Sequence, residues 1–181
     1  RFTCCGKVLH THCCTDLMTS KMKWNCPLCR AKSPTSEEER VKQLRPWVKK
    51  KKAWAQNMMG CQYEQGNGVK QSYEMAKILF EQAAQQGDAD AIFSLGVMYE
   101  NGEGVEQSYE KAVEYYEQAA DLGHAIAQLN LGAMYANGMG VERDIAKTRE
   151  WWTKAAAQGE KNAIKNLKLI NSSTVHKQTN N

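Results

Sequence analysis

The residues best equipped for chemistry are crowded into the first thirty positions. "CCGKVLHTHCC" at 4–14 sets four cysteines and two histidines within eleven residues, and "CPLC" follows at 26–29. Only Cys61, of seven cysteines, lies beyond residue 30. A disulfide-stapled secreted fold would spread its thiols more evenly. Tight thiol pairs ahead of a thiol-poor region suit a metal module joined to an ordinary cytoplasmic or nuclear domain. Cys26 and Cys29, three residues apart on a tight turn, can grip one zinc ion with bonds of about 2.3 Å. A lone C-x-x-C also suits redox chemistry, but the thiol and imidazole cluster ahead of it favours metal. So short a segment has little apolar core, and structural zinc contributes about 10–16 kcal/mol in small peptides.

The rest of the chain must position that segment, and its texture changes twice. Residues 1–33 are rich in Cys and Lys, and 34–52 read "PTSEEERVKQLRPWVKKKK". Ser36 with Glu39 three residues on has capping-box spacing, so a linker helix is expected there. Pro46 is expected to kink or restart it. Residues 53–171 are rich in Ala, Gly and Gln, and the polar tail from 172 to 181 is expected to be disordered.

The third zone repeats itself every 36 residues. Gly60, Gly96 and Gly132 are in phase, as are Tyr63, Tyr99 and Tyr135, and Gly68, Gly104 and Gly140. Such a period is the signature of a repeat architecture. Each copy reads as a helical hairpin. Ile92, Leu95, Gly96 and Tyr99 share one helix face, and "NGEG" then stops the helix because glycine takes positive φ cheaply. Ala112, Tyr115, Tyr116, Ala119 and Ala120 follow the same spacing on the second helix. The small residues let two backbones approach closely, and the aromatics fill the wider end. The expected fold is all-α, a helical-hairpin repeat solenoid with copies at 53–88, 89–124 and 125–160. A polar cap follows at 161–171, where Lys168 takes the glycine position. A small, truncated zinc-finger segment precedes it all.

The segments "SLGVMYENGEGV" and "NLGAMYANGMGV", each closed by "AA..G", resemble the Sel1-like repeat, a relative of the tetratricopeptide repeat. The resemblance covers about 120 residues. It implies a right-handed superhelix of paired helices with a concave face that binds a protein ligand. Phe93, Met98 and Met134 fall outside the helix-pair core pattern. They are the candidates for that face, with contact to a neighbouring repeat as the alternative.

Residues 1–33 resemble the C-terminal half of a RING finger, a family that holds two zinc ions in a cross-brace. His10 and Cys13 match its third ligand pair, Cys26 and Cys29 its fourth, and Cys5 the first member of its second. The usual partner of Cys5 is a histidine where this chain has Lys7, and Cys4 is the candidate substitute. The first pair has no counterpart, so the chain is expected to open inside a domain. One zinc held by Cys4, Cys5, Cys26 and Cys29, with His10 and Cys13 left for a second, is one assignment. A single mixed site using His12 is the other. The resemblance implies a ubiquitin-ligase module that contacts a conjugating enzyme through Leu17, Pro27 and Arg30. A non-enzymatic scaffold in which the zinc knuckle is only structural is the competing reading, and Lys7 supports it.

Bland readings cover the remaining features. Cys14 suits core packing, Cys61 sits mid-helix, and His12 suits the surface. Lys49 to Lys52 beside Trp47 and Trp54 could suggest nucleic acid, but the net charge is only +4 and no basic stripe continues the run, so a solvated helix end is expected. No apolar run reaches the roughly 20 residues of a membrane span. The repeats carry no phosphate loop and no nucleophile–base pair, so they are read as an adaptor surface.

Overall fold

A computed structural model describes residue 34 and residues 36–178, with side chains described up to residue 171. The chain divides between Gln86 and Gly87 into two compact units. The described residues form eight helices and no strand. The first unit holds α1 (Glu37–Lys49), α2 (Ala53–Gln65) and α3 (Tyr73–Ala84). The second holds α4 (Ala89–Asn101), α5 (Tyr109–Asp121), α6 (Ala125–Asn137), α7 (Ile145–Ala157) and α8 (Lys161–Gln178). The three expected hairpins are therefore α2–α3, α4–α5 and α6–α7, an all-α repeat array with a period of 36 residues.

The helix starts keep that period. Ser72 and Ser108 cap α3 and α5 by accepting from the amides of Met75 and Lys111, each at 3.2 Å, and Asp144 caps α7 by accepting from Ala146 and Lys147. A side-chain oxygen at this position satisfies amides that have no partner inside the helix. Ser36 stands one further period upstream and accepts from the Glu39 amide at 3.3 Å, as its spacing with Glu39 suggested. Helix α1 thus has the register of a second helix. Two backbone details agree. A Cβ at Gly68 would meet the backbone of Glu37 at the start of α1, just as one at Gly140 would meet Tyr109 at the start of α5. Lys51 (φ 53°) also takes the left-handed conformation that Gly87, Gly123 and Gly159 adopt one, two and three periods later.

Helix α1 packs on α2. Val41 and Leu44 are buried with Ala55, Met59 and Leu79, and Trp47 and Trp54 lie partly buried over them with rings 5.8 Å apart. Residues 37–49 are therefore a packed member of the first unit as well as a connector. Pro46 does not restart the helix, which runs unbroken to Lys49. Proline's missing amide leaves the Lys42 carbonyl without its helical donor, on an exposed stretch where water can replace it, and Lys50 N–H still closes onto the Pro46 carbonyl. Lys49 to Lys52 are all exposed, with the Lys50 ammonium 5.0 Å above the Trp47 ring.

Close approach of the two helices in each hairpin rests on one glycine. A Cβ at Gly96 would lie 2.7 Å from the Tyr116 ring, and Gly60 and Gly132 face Phe80 and Trp152 in the same way. Those three rings are themselves 36 residues apart. Ala76, Ala83, Ala112, Ala119 and Ala155 are fully buried around them. At the same register the third hairpin has Thr148, also fully buried, whose hydroxyl is satisfied by donating to the Asp144 carbonyl at 2.7 Å. Helix α8 has the register of another first helix and packs on α7 through Ala163, Leu167 and Ile170, which join the Trp152–Ala155 cluster. It continues to Gln178, past the expected end of the cap at residue 171.

Candidate functional site

The expected zinc ligands Cys4, Cys5, His10, Cys13, Cys26 and Cys29 lie outside the described residues, and so do Leu17, Pro27 and Arg30. Among the described residues, no group of three or more His, Cys, Asp and Glu is placed to hold a metal ion. No helix among them is long and apolar enough to cross a membrane.

The three residues expected to meet a protein ligand separate in the fold. Met98 is 0% exposed and Met134 2%, so both are core residues and present nothing to a partner. Each lies two residues past its hairpin glycine, on a side about 200° around the helix from the flank that meets the second helix. Period counting could not tell that side from an open one. Phe93 is half-buried. Its ring stacks on His124 at 4.6 Å and on Tyr116 at 5.6 Å.

A polar cluster surrounds that ring in the second unit. The Tyr116 hydroxyl donates to the Glu100 carboxylate at the end of α4 and also bonds with Asn130 on α6. Burial and then the bond to Glu100 push the Tyr116 phenol far above its ordinary value. His124 is the N-cap of α6. Its Nδ1 accepts from the Ala127 amide at 3.0 Å, while Nε2 lies 3.4 Å from an Asp90 oxygen. That side-chain contact holds the Asp90 carboxyl below its ordinary value against the opposing effect of burial. No sequence motif singles out His124. The available signal was its register, because Asp88, His124 and Glu160 are in phase and all three accept from first-turn amides.

The first helices carry a further set of half-buried positions. Counted from the hairpin glycine, the residue three before it is Asn57, Phe93 or Leu129, the next after it Cys61, Val97 or Ala133, and the fourth after it Glu64, Glu100 or Ala136. These fall on one face of each helix at i, i+4 and i+7. All are half-buried except Asn57, which is buried. Around them the hairpin framework is constant, whereas this face changes from copy to copy.

A separate hollow of ≈ 370 Å³ is lined by Tyr135, Val141, Glu142, Arg143, Asp144 and Lys147. Its polar groups serve the fold. Arg143 Nε donates to the Ala136 carbonyl at 3.0 Å, Asp144 caps α7, and Lys147 lies 4.7 Å above the Tyr135 ring. The Tyr135 hydroxyl is committed to Glu117 at 2.9 Å. No nucleophile–base arrangement converges there.

The Sel1 repeat model matches residues 55–88, 89–124 and 125–160, the three hairpins just described. The chain belongs to the Sel1-like repeat family. Among solved structures it is similar to c5321, a protective antigen of uropathogenic Escherichia coli displaying an SLR fold. That match has 32% identity and a TM-score of 0.72, over 77% of this chain and 30% of that one. It is also similar to a Sel1 repeat protein from Oxalobacter formigenes, with 32% identity and a TM-score of 0.70, over 74% of this chain and 53% of that one. The matched part is thus a third to a half of those relatives' length. Helicobacter pylori cysteine rich protein B is similar at 23% identity and a TM-score of 0.61, over 75% of this chain and all of that one, a likeness of fold alone. No curated protein matches the chain. Residues 1–54 of this Sel1-like repeat protein lie outside the family match.

Proposed function

We propose that this Sel1-like repeat protein is a scaffold that holds a protein ligand against the first helices of its hairpins. The observation that carries the reading is the contrast between framework and face. Every hairpin keeps its glycine–aromatic contact, a buried alanine at the register of Ala83, Ala119 and Ala155, and a capped start to its second helix, while the Asn57, Phe93 and Leu129 face differs in each copy. Residues consumed by packing are constrained alike in all copies. A face that varies and, Asn57 aside, stays partly exposed is where such an array has room to specialise. A photo-crosslinking residue at Val97 should capture the ligand, and one at Glu114, exposed on α5, should not. Capture at Glu114 alone would contradict the reading.

The cysteine-rich segment supports a second reading in addition. The Cys26-Pro-Leu-Cys29 turn, with Cys4, Cys5, His10 and Cys13 ahead of it, has the donor chemistry of a zinc module. Its RING-like spacing suggests a ubiquitin-ligase role in which Leu17, Pro27 and Arg30 meet a conjugating enzyme. Native mass spectrometry should find bound zinc that is lost on Cys26→Ser. A metal-free chain would remove this reading and leave the scaffold intact.

A further inference from the structure

Helix α8 offers a further docking surface, in which Lys165 and Leu169 continue the register of the variable face, one period after Leu129 and Ala133. Its register makes it a first helix: Ala163 repeats Ala127 and Ala91, all fully buried. In the complete hairpins the position of Ile164 is covered, with Ile92 6% exposed and Gln128 5%. Ile164 is 39% exposed, and Leu169 is 58% exposed. Ile164 is thus open where Ile92 and Gln128 are covered, and Leu169 repeats the half-buried Val97 and Ala133. Lys161, Lys165 and Lys168 lie on this same face at i, i+4 and i+7, all exposed. No Asp or Glu occurs between Lys161 and Gln178 to offset them. The second helix α5, in contrast, carries Glu110, Glu114, Glu117 and Asp121 against one lysine.

We propose that this face receives an acidic amphipathic helix from a partner protein, docked where a second helix would lie. Its apolar residues would cover Ile164 and Leu169, and its carboxylates would meet the three lysines. Lys168 sharpens the specificity. It stands at the glycine register, where Gly96 admits the Tyr116 ring. A lysine there excludes an aromatic at that depth and calls for a carboxylate in its place. An anionic membrane surface shares the charge preference but fits the shape less well. The inner flank of α8 is already buried on α7, which leaves a narrow strip, and interfacial helices present a broad apolar face to lipid.

The probe is a peptide with the α5 sequence, residues 109–121, carrying Tyr116→Glu so that an acid faces Lys168. Titrated into the full chain, it should shift the amide resonances of α8 saturably, and added salt should weaken it. The double variant Lys165→Glu, Lys168→Glu should bind about tenfold more weakly with an unchanged helical circular dichroism spectrum. Vesicles of phosphatidylcholine and phosphatidylserine should compete poorly. No saturable shift, binding indifferent to the charge reversal, or binding to vesicles alone would each overturn the proposal.

Discussion

Gly96 on α4 and Lys168 on α8 occupy the same register position two periods apart. In the first case an aromatic ring from the following helix closes over the glycine. In the second an exposed ammonium occupies the slot, and no second helix follows among the described residues. One framework thus has a sealed form and an open form. The residue at the glycine position separates them, because the close approach of a helix pair depends on the absence of a single Cβ. Around it the two helices keep the same small residues, Ala91 in one and Ala163 in the other, both fully buried.

The largest expected effect is at the sealed position. Gly96→Val would force its side chain into the Tyr116 ring and should destabilise the second unit by about 3 kcal/mol, the upper range for overpacking a core. Lys168→Val, the same residue at the same register, should change stability by less than about 0.5 kcal/mol. Urea unfolding followed by circular dichroism measures both, and equal losses would erase the distinction.

A smaller effect is expected at the ring itself. Tyr116→Phe removes the hydroxyl that donates to Glu100 and should cost about 1.5–3 kcal/mol, as for a hydrogen bond to a charged group. The sign of its pH dependence follows from linkage. Folding raises the phenol's affinity for its proton, so the associated stability is present below about pH 10, the ordinary tyrosine value, and is lost as pH rises through the higher folded value. Alkaline unfolding of the wild type should therefore be steeper than that of Tyr116→Phe. Parallel alkaline limbs would show that the hydroxyl contributes nothing to the seal.

The smallest effect concerns a substitution the repeats already make. In the third hairpin Gln158 donates to Gln128 at 2.9 Å, and in the first Gln86 donates to Gln56 at 2.6 Å. The second hairpin has Ile92 and Leu122 at these positions. Gln158→Leu alone should cost about 1 kcal/mol, because it strands a buried amide oxygen. Adding Gln128→Ile should recover most of it, since replacing both partners removes the stranded group. Additive losses in a double-mutant cycle would mean that the two positions are not a coupled pair.

Much of this comparison was legible in the sequence. The period, the hairpins and the Ser36 cap all follow from spacing, because each is a local constraint repeated in phase, whereas the ring that closes over each glycine was expected at the wider end of the hairpin. What spacing could not give was the side from which a helix is covered. Met98 and Met134 looked spare by periodicity yet are core, since burial on the flank of a helix depends on a neighbour distant in sequence. Pro46 looked like a break because its cost depends on whether the Lys42 carbonyl, left without a donor, is buried or open to water, and Lys42 is exposed. The packing of α1 on α2 was masked for a related reason. Its residues share the phase of a second helix but not the composition, with Arg40 and Gln43 where the hairpins carry Ala76 and Leu79. The variable face of Asn57, Phe93 and Leu129 was only partly visible, because variation has no signature until the constant positions around it are known.

The most direct test of the sealed-against-open contrast is hydrogen exchange of the full chain, resolved by mass spectrometry, with and without the acidic α5-derived peptide. Helices α4 and α6, covered by their second helices, should exchange slowly in both conditions. Helix α8 should exchange faster when free and slow markedly once the peptide is bound. Protection of α8 that equals that of α6 in the free chain, and that does not change with the peptide, would contradict the account.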